Sequence, residues 1–116
     1  MQDRPTAPEL LDAMAVQLVG EVREWVPRER RFQILVLANL CTVIARELRA
    51  GEEPSVADVA LFKQLGASAD EPRAAAEELA AAIRRGDLDA SLPEAIDALK
   101  AHVARKLAIA RPGYDA

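Results

Sequence analysis

Three segments of this chain of 116 residues repeat one pattern, a capping residue, a spacer and then proline: Thr6-Ala7-Pro8-Glu9, Asp70-Glu71-Pro72-Arg73 and Ser91-Leu92-Pro93-Glu94. The hydroxyl or carboxylate of such a cap accepts a hydrogen bond from an orphan amide of a helix's first turn. Proline fits that turn because its missing N–H would have no intrahelical acceptor. Glu9 and Glu94, each three residues after the cap, complete a capping box. Ser55-Val56-Ala57-Asp58 is a weaker fourth start, with Asp58 favourable near a helix N-terminus.

Apolar spacing between these starts, and the Gly or Pro that follows each run, predicts five helices. The first spans about Ala7 to Trp25, with Leu11, Met14, Leu18, Val22 and Trp25 inward. After Pro27 the second runs from about Glu29 to Ala50 and closes at Gly51. The third is short, about Val56 to Leu65, with Val59, Phe62 and Leu65 inward; the fourth, about Glu71 to Arg85, is anchored by Leu79 and Ile83. The fifth, about Leu92 to Ala110, buries Leu92, Ile96, Leu99, Val103 and Leu107 and stops at Pro112-Gly113. No segment alternates with a period of two, so no strand is expected. Alanine fills 24 positions, while the aromatics are Trp25, Phe32, Phe62 and Tyr114 alone. That composition suits helices packed closely through small side chains. The expected fold is all-α: a compact five-helix bundle with short turns, one domain over residues 1–116, neighbours antiparallel.

The second helix carries Ile34, Leu35, Val36, Leu37, Leu40, Cys41, Val43 and Ile44 around nearly its whole circumference. Such a helix is either enclosed by its own domain or shared with another chain. A homodimer or hetero-complex is therefore expected beside the enclosed alternative, and at either location Leu40→Ala should cost about 2–5 kcal/mol. Asn39 interrupts this run, and a buried amide there needs partners: it fixes helix register or binds a ligand. Arg46 and Glu47 follow at its end, as an ion pair or as groups facing a groove or partner.

Catalytic groups are sparse. The hydroxyls are Thr6, Thr42, Ser55, Ser68 and Ser91; all but Thr42 fall at expected helix starts, and Thr42 can bond back to the carbonyl four residues earlier. The one histidine, His102, is either a general base or a cation suited to a helix C-terminus, with Arg105, Lys106 and Arg111. One His and one Cys do not make a zinc site, and Asp87-Leu88-Asp89 lacks the glycine and terminal glutamate of a calcium loop. Glu52-Glu53 and Glu77-Glu78 read as solvated charges. No phosphate cradle, nucleophile elbow or dinucleotide fingerprint is present, so no cofactor is expected. A net charge of −4 disfavours nucleic acid. Phe32 to Ala45 is uncharged but shorter than the roughly 20 residues of a membrane span. Polar Gln2, Asp3 and Arg4 do not read as a secretory leader, and the lone Cys41, expected as a buried inert thiol, fits a reducing compartment; a cytoplasmic protein is expected.

Four stretches together carry a resemblance: Gln2 to Leu11, Leu37-Ala38-Asn39-Leu40 leading to Ile44-Ala45-Arg46-Glu47-Leu48, Ile83-Arg84-Arg85-Gly86-Asp87, and Lys106 to Tyr114. In these the chain resembles a bacterial family of short proteins whose domain has no known function; Glu52 to Pro72 matches it least. The resemblance implies an accessory role, because genes of that family lie beside aminoglycoside-phosphotransferase-like kinases and acyl-CoA dehydrogenases. It implies work near acyl-CoA or hydroxy-acid breakdown and a phosphotransferase-like partner, and it transfers no catalytic residue.

Three functions are consistent with these readings. The first is a non-catalytic interaction module whose partner surface includes Arg46, Arg105, Arg111 and Tyr114. The second is a binder of a small ligand or acyl group near Asn39 and Arg46. The third is a small enzyme using Arg46, Glu47 and His102.

Overall fold

The computed structural model describes residues 3–114, so Gln2 lies outside the described residues. The described residues form five helices and no strand. Helix α1 (Ala7–Gln17) starts as the sequence predicts, with the Thr6 hydroxyl accepting from the Glu9 amide at 3.4 Å. The reciprocal half of the capping box does not form. Glu9 instead takes the Arg4 guanidinium at 2.6 and 3.1 Å, a charge-assisted pair that outcompetes a neutral amide. The run continues through a π-helical stretch, Leu18–Val22, and a last turn, Arg23–Trp25.

Pro27 separates this run from a 3-10 turn, Arg28–Arg30, that leads into α2 (Arg31–Ala50). Helix α3 (Glu53–Gln64) starts three residues earlier than expected, because Pro54 occupies its first turn; Ser55 therefore lies inside the helix instead of capping it. Helix α4 (Pro72–Arg85) is capped by Glu71 and not by Asp70. The Glu71 carboxylate accepts from the amides of Arg73 at 3.0 Å and Ala74 at 2.9 Å, while Asp70 is drawn to Lys63. Those amides, Arg73 foremost, hold the Glu71 carboxyl below its ordinary value. Gly86, at φ +83°, closes α4 in the left-handed conformation that glycine adopts without strain. A 3-10 turn, Asp89–Ser91, then leads into α5 (Leu92–Ala110).

The contacts group the chain into two units. One takes the chain up to Gly51 together with Ile109–Arg111; the other takes Glu52–Ala108 and the tail from Pro112. In the first, α1 packs along α2 over buried Ile34, Ala38 and Ala45, and Asp12 clasps Arg49 at 2.6 Å. In the second, Phe62 from α3, Ala67 from the following turn, and Ala75 and Leu79 from α4 form the core, with Leu65, Leu88 and Leu99 packed against it. Five of the eight buried residues are alanine, so helix axes approach closely where they meet. Glu78, expected to be solvated, accepts from the Ser68 amide at 2.8 Å and anchors the turn ahead of α4. That amide keeps its carboxyl below the usual glutamate value.

Three expected core faces differ from those observed. On the first run Leu11, Leu18 and Val22 are half-buried, but Met14 and Trp25 are exposed, Trp25 at 70%. On α4 Leu79 is buried as expected and Ile83 is exposed. On α5 the inward side is Ala95, Leu99, His102 and Arg105, while Leu92, Ile96 and Val103 face out. His102 and Arg105 on that inward side meet Asp58 of α3.

Candidate functional site

Helix α2 is covered on one side. Ile34, Ala38 and Ala45 share the face toward α1, within one 60° sector at 100° per residue. In an adjoining sector about 120° wide, Val36, Leu37, Leu40, Ile44 and Leu48 are 41–51% exposed, and Phe32 at the N-terminal end of the helix is 74% exposed. No charged residue interrupts the helix from Phe32 to Ala45. Leu40 is therefore half exposed in the isolated chain, and its truncation there loses part of a transfer term without a full cavity.

The polar residues of α2 take places that spacing alone did not assign. Asn39 is exposed, so its amide reaches water and is not the buried group expected. Thr42 donates to the Ala38 carbonyl at 3.1 Å, as predicted. Cys41 is half-buried, not the fully buried thiol expected. Arg46 and Glu47 are not paired with each other. Arg46 donates to the Ile109 carbonyl, at the end of α5 where carbonyls lack intrahelical partners, and Glu47 is exposed.

A second constellation joins α3 to α5. Asp58 Oδ1 accepts from Arg105 Nε at 2.7 Å, with Nη2 2.6 Å away, and Oδ2 lies 3.0 Å from His102 Nδ1. The Nε bond is directed. The Nη2 contact lies off its N–H direction and holds by charge, while His102 Nδ1 stands beside Oδ2 without a hydrogen bond. Phe62, one turn beyond Asp58, meets the His102 ring edge-on with centroids 5.1 Å apart. All three polar side chains are less than a third exposed. Both carboxylate oxygens are engaged, and no hydroxyl or thiol hydrogen-bonds His102 or Asp58 among the described residues. The arrangement ties two helices together and lacks the nucleophile that a triad would activate.

This cluster contains the functional-looking residue that sequence reasoning missed. Asp58 reads locally as a helix-start charge; its i, i+4 relation to Phe62 places both on one face, but only the docking of α5 shows what that face meets. Arg105 is thereby withdrawn from the basic surface expected at the end of α5. Lys100, Lys106, Arg111 and Tyr114 remain exposed there. A cleft lined by Gly66, Leu79, Ala82 and Leu88 carries Glu78, Arg85 and Asp87, whose charges already engage Ser68 and, at 3.0 Å, one another. Among the described residues no cluster of three or more His, Cys, Asp or Glu side chains could hold a metal ion. No described helix is long and apolar enough to cross a membrane.

A family model described as a domain of unknown function, DUF6285, matches residues 24–114. The match takes in three of the four stretches that carried the resemblance, and Glu52 to Pro72 as well; Gln2 to Leu11 precedes it. Neither the curated proteins nor the solved structures hold a match to this chain.

Proposed function

We propose that this chain, which belongs to the DUF6285 family, a domain of unknown function, is a non-catalytic interaction module that docks another protein surface on the outer face of α2. The exposed row Val36, Leu37, Leu40, Ile44 and Leu48 carries the reading. Five large aliphatic side chains in one sector, with Glu47 toward its C-terminal end, form the kind of patch that marks a contact site, since interface centres are depleted in charge. Exposed Phe32 extends the same surface with an aromatic residue. The engaged Asp58 carboxylate supports a binding role over catalysis, and Arg46, held by a backbone carbonyl, is occupied as a fold contact.

The resemblance noted above supports a bacterial setting and a phosphotransferase-like partner near acyl-CoA or hydroxy-acid breakdown, and the lone Cys41 supports a cytoplasmic one. Lys100, Lys106, Arg111 and Tyr114 would serve as the contact for such a partner.

The test is Leu40→Lys in the full chain. A docking face predicts unchanged helicity and a melting temperature within about 3 °C of wild type at dilute, monomeric concentration, with loss of the association that α2 mediates, read by sedimentation at higher protein concentration. Leu40→Ala should cost about 1 kcal/mol in the same monomer, below the range for a fully buried leucine. A cooperative loss of helix in Leu40→Lys under those conditions would show the face to be internal and end the reading.

A further inference from the structure

We propose that the surface seated on α2 is a second copy of this chain, its α2 running antiparallel about a two-fold axis between Leu37 and Leu40. The inference rests on the docking-face reading and names its occupant. Arg30, Gln33, Leu37, Leu40, Ile44 and Glu47 recur at alternating spacings of three and four, the seam of a coiled-coil surface. All six are exposed, and Arg30 Nη1 lies 3.4 Å from Gln33 Oε1, which places both side chains together at the N-terminal end of the seam.

Reversing the seam lays it on itself. Leu37 of one copy then meets Leu40 of the other, Gln33 meets Ile44, and Arg30 meets Glu47. The two-fold repeats each contact, so an apolar centre is closed at both ends by an opposite-charge pair. A parallel pairing would stack Arg30 on Arg30 and Glu47 on Glu47, which like-charge repulsion disfavours.

The N-terminal end of α2 gives an independent argument. Arg28, Arg30 and Arg31 cluster where the helix dipole is positive, an unfavourable place for cations. Glu24 lies 3.7 Å from Arg31 and offsets part of that charge. In the antiparallel pair Glu47 of the second copy approaches this end, while the partner's dipole opposes the first. A basic end and an acidic end on one apolar seam are complementary to a reversed copy of the same seam.

Sedimentation equilibrium of the full chain, at low and at high salt, tests the register. Wild type should dimerise with concentration. Arg30→Glu and Glu47→Arg should each weaken the dimer about tenfold, because each alters two symmetry-related pairs from attraction to repulsion. The combined Arg30→Glu/Glu47→Arg chain should recover to within about threefold of wild type, and high salt should shrink all these differences. Both positions are exposed, and unchanged circular dichroism checks that each variant folds. A wild type that stays monomeric at millimolar concentration overturns the second copy, as does a combined variant no better than the single ones. Should that monomer also tolerate Leu40→Lys, the docking face survives with another occupant; should Leu40→Lys unfold it, the underlying reading fails as well.

Discussion

Replacing Asp58 by asparagine keeps the side-chain volume and removes one charge from the tie between α3 and α5. The carboxylate accepts one directed bond from Arg105 Nε at 2.7 Å, holds Nη2 electrostatically and lies 3.0 Å from His102 Nδ1. Hydrogen bonds to charged groups contribute about 1.5–3 kcal/mol. The exposures, 14% for Asp58 and 29% for Arg105, place the pair between a surface bridge of at most about 1 kcal/mol and a buried one whose rupture costs about 3–5. Asparagine can still accept from Nε, which recovers part of the loss. The expected cost is about 2 kcal/mol, or about 8 °C in melting temperature for a chain this long. Thermal and urea unfolding of the full chain at neutral pH read it directly. A cycle with Arg105→Ala and the Asp58→Asn/Arg105→Ala pair should give a coupling of about 1 kcal/mol or more. Stability within about 0.5 kcal/mol of wild type, with an additive cycle, would refute the argument that this carboxylate orients α5.

Ala75 is fully buried in the core beside Phe62 and Leu79, so Ala75→Leu should overpack it and cost about 1–3 kcal/mol by urea unfolding. Gly20 lies in the π-helical stretch with open space where a Cβ would stand. Gly20→Ala should therefore stabilise the chain by about 0.5–1 kcal/mol, read as a higher melting temperature. Glu78 titrates below its ordinary value of 4.5, chiefly through the Ser68 amide, so its contribution is complete above that value and is lost as pH falls through the lowered one. Glu78→Gln should be less stable than wild type at pH 7, and the two should converge as acid protonates the carboxylate, in acid-unfolding curves followed by circular dichroism.

Much of what the sequence determined lies within a few residues along the chain. Thr6 caps α1, Thr42 bonds to Ala38, Gly86 stops α4, and five helices occupy the expected segments, because side-chain-to-backbone bonds and backbone preferences act over one turn. The failures come from contacts that reach beyond one turn. Glu71 displaced Asp70 as a cap once Lys63, seven residues earlier, drew Asp70 away, and Arg4 diverted Glu9 from its capping box. Spacing counted the apolar residues of each helix without fixing which of them face inward. Tertiary structure decided that, because a face is buried by what packs against it. His102 and Arg105 face inward toward Asp58 while Ile96 and Val103 lie outside, and α1 covers one side of α2 and leaves Leu40 half exposed. The all-round apolar character of α2 was legible from residues 34 to 44. Its one covered face depended on α1 docking along Ile34, Ala38 and Ala45, a contact between helices that no local preference specifies.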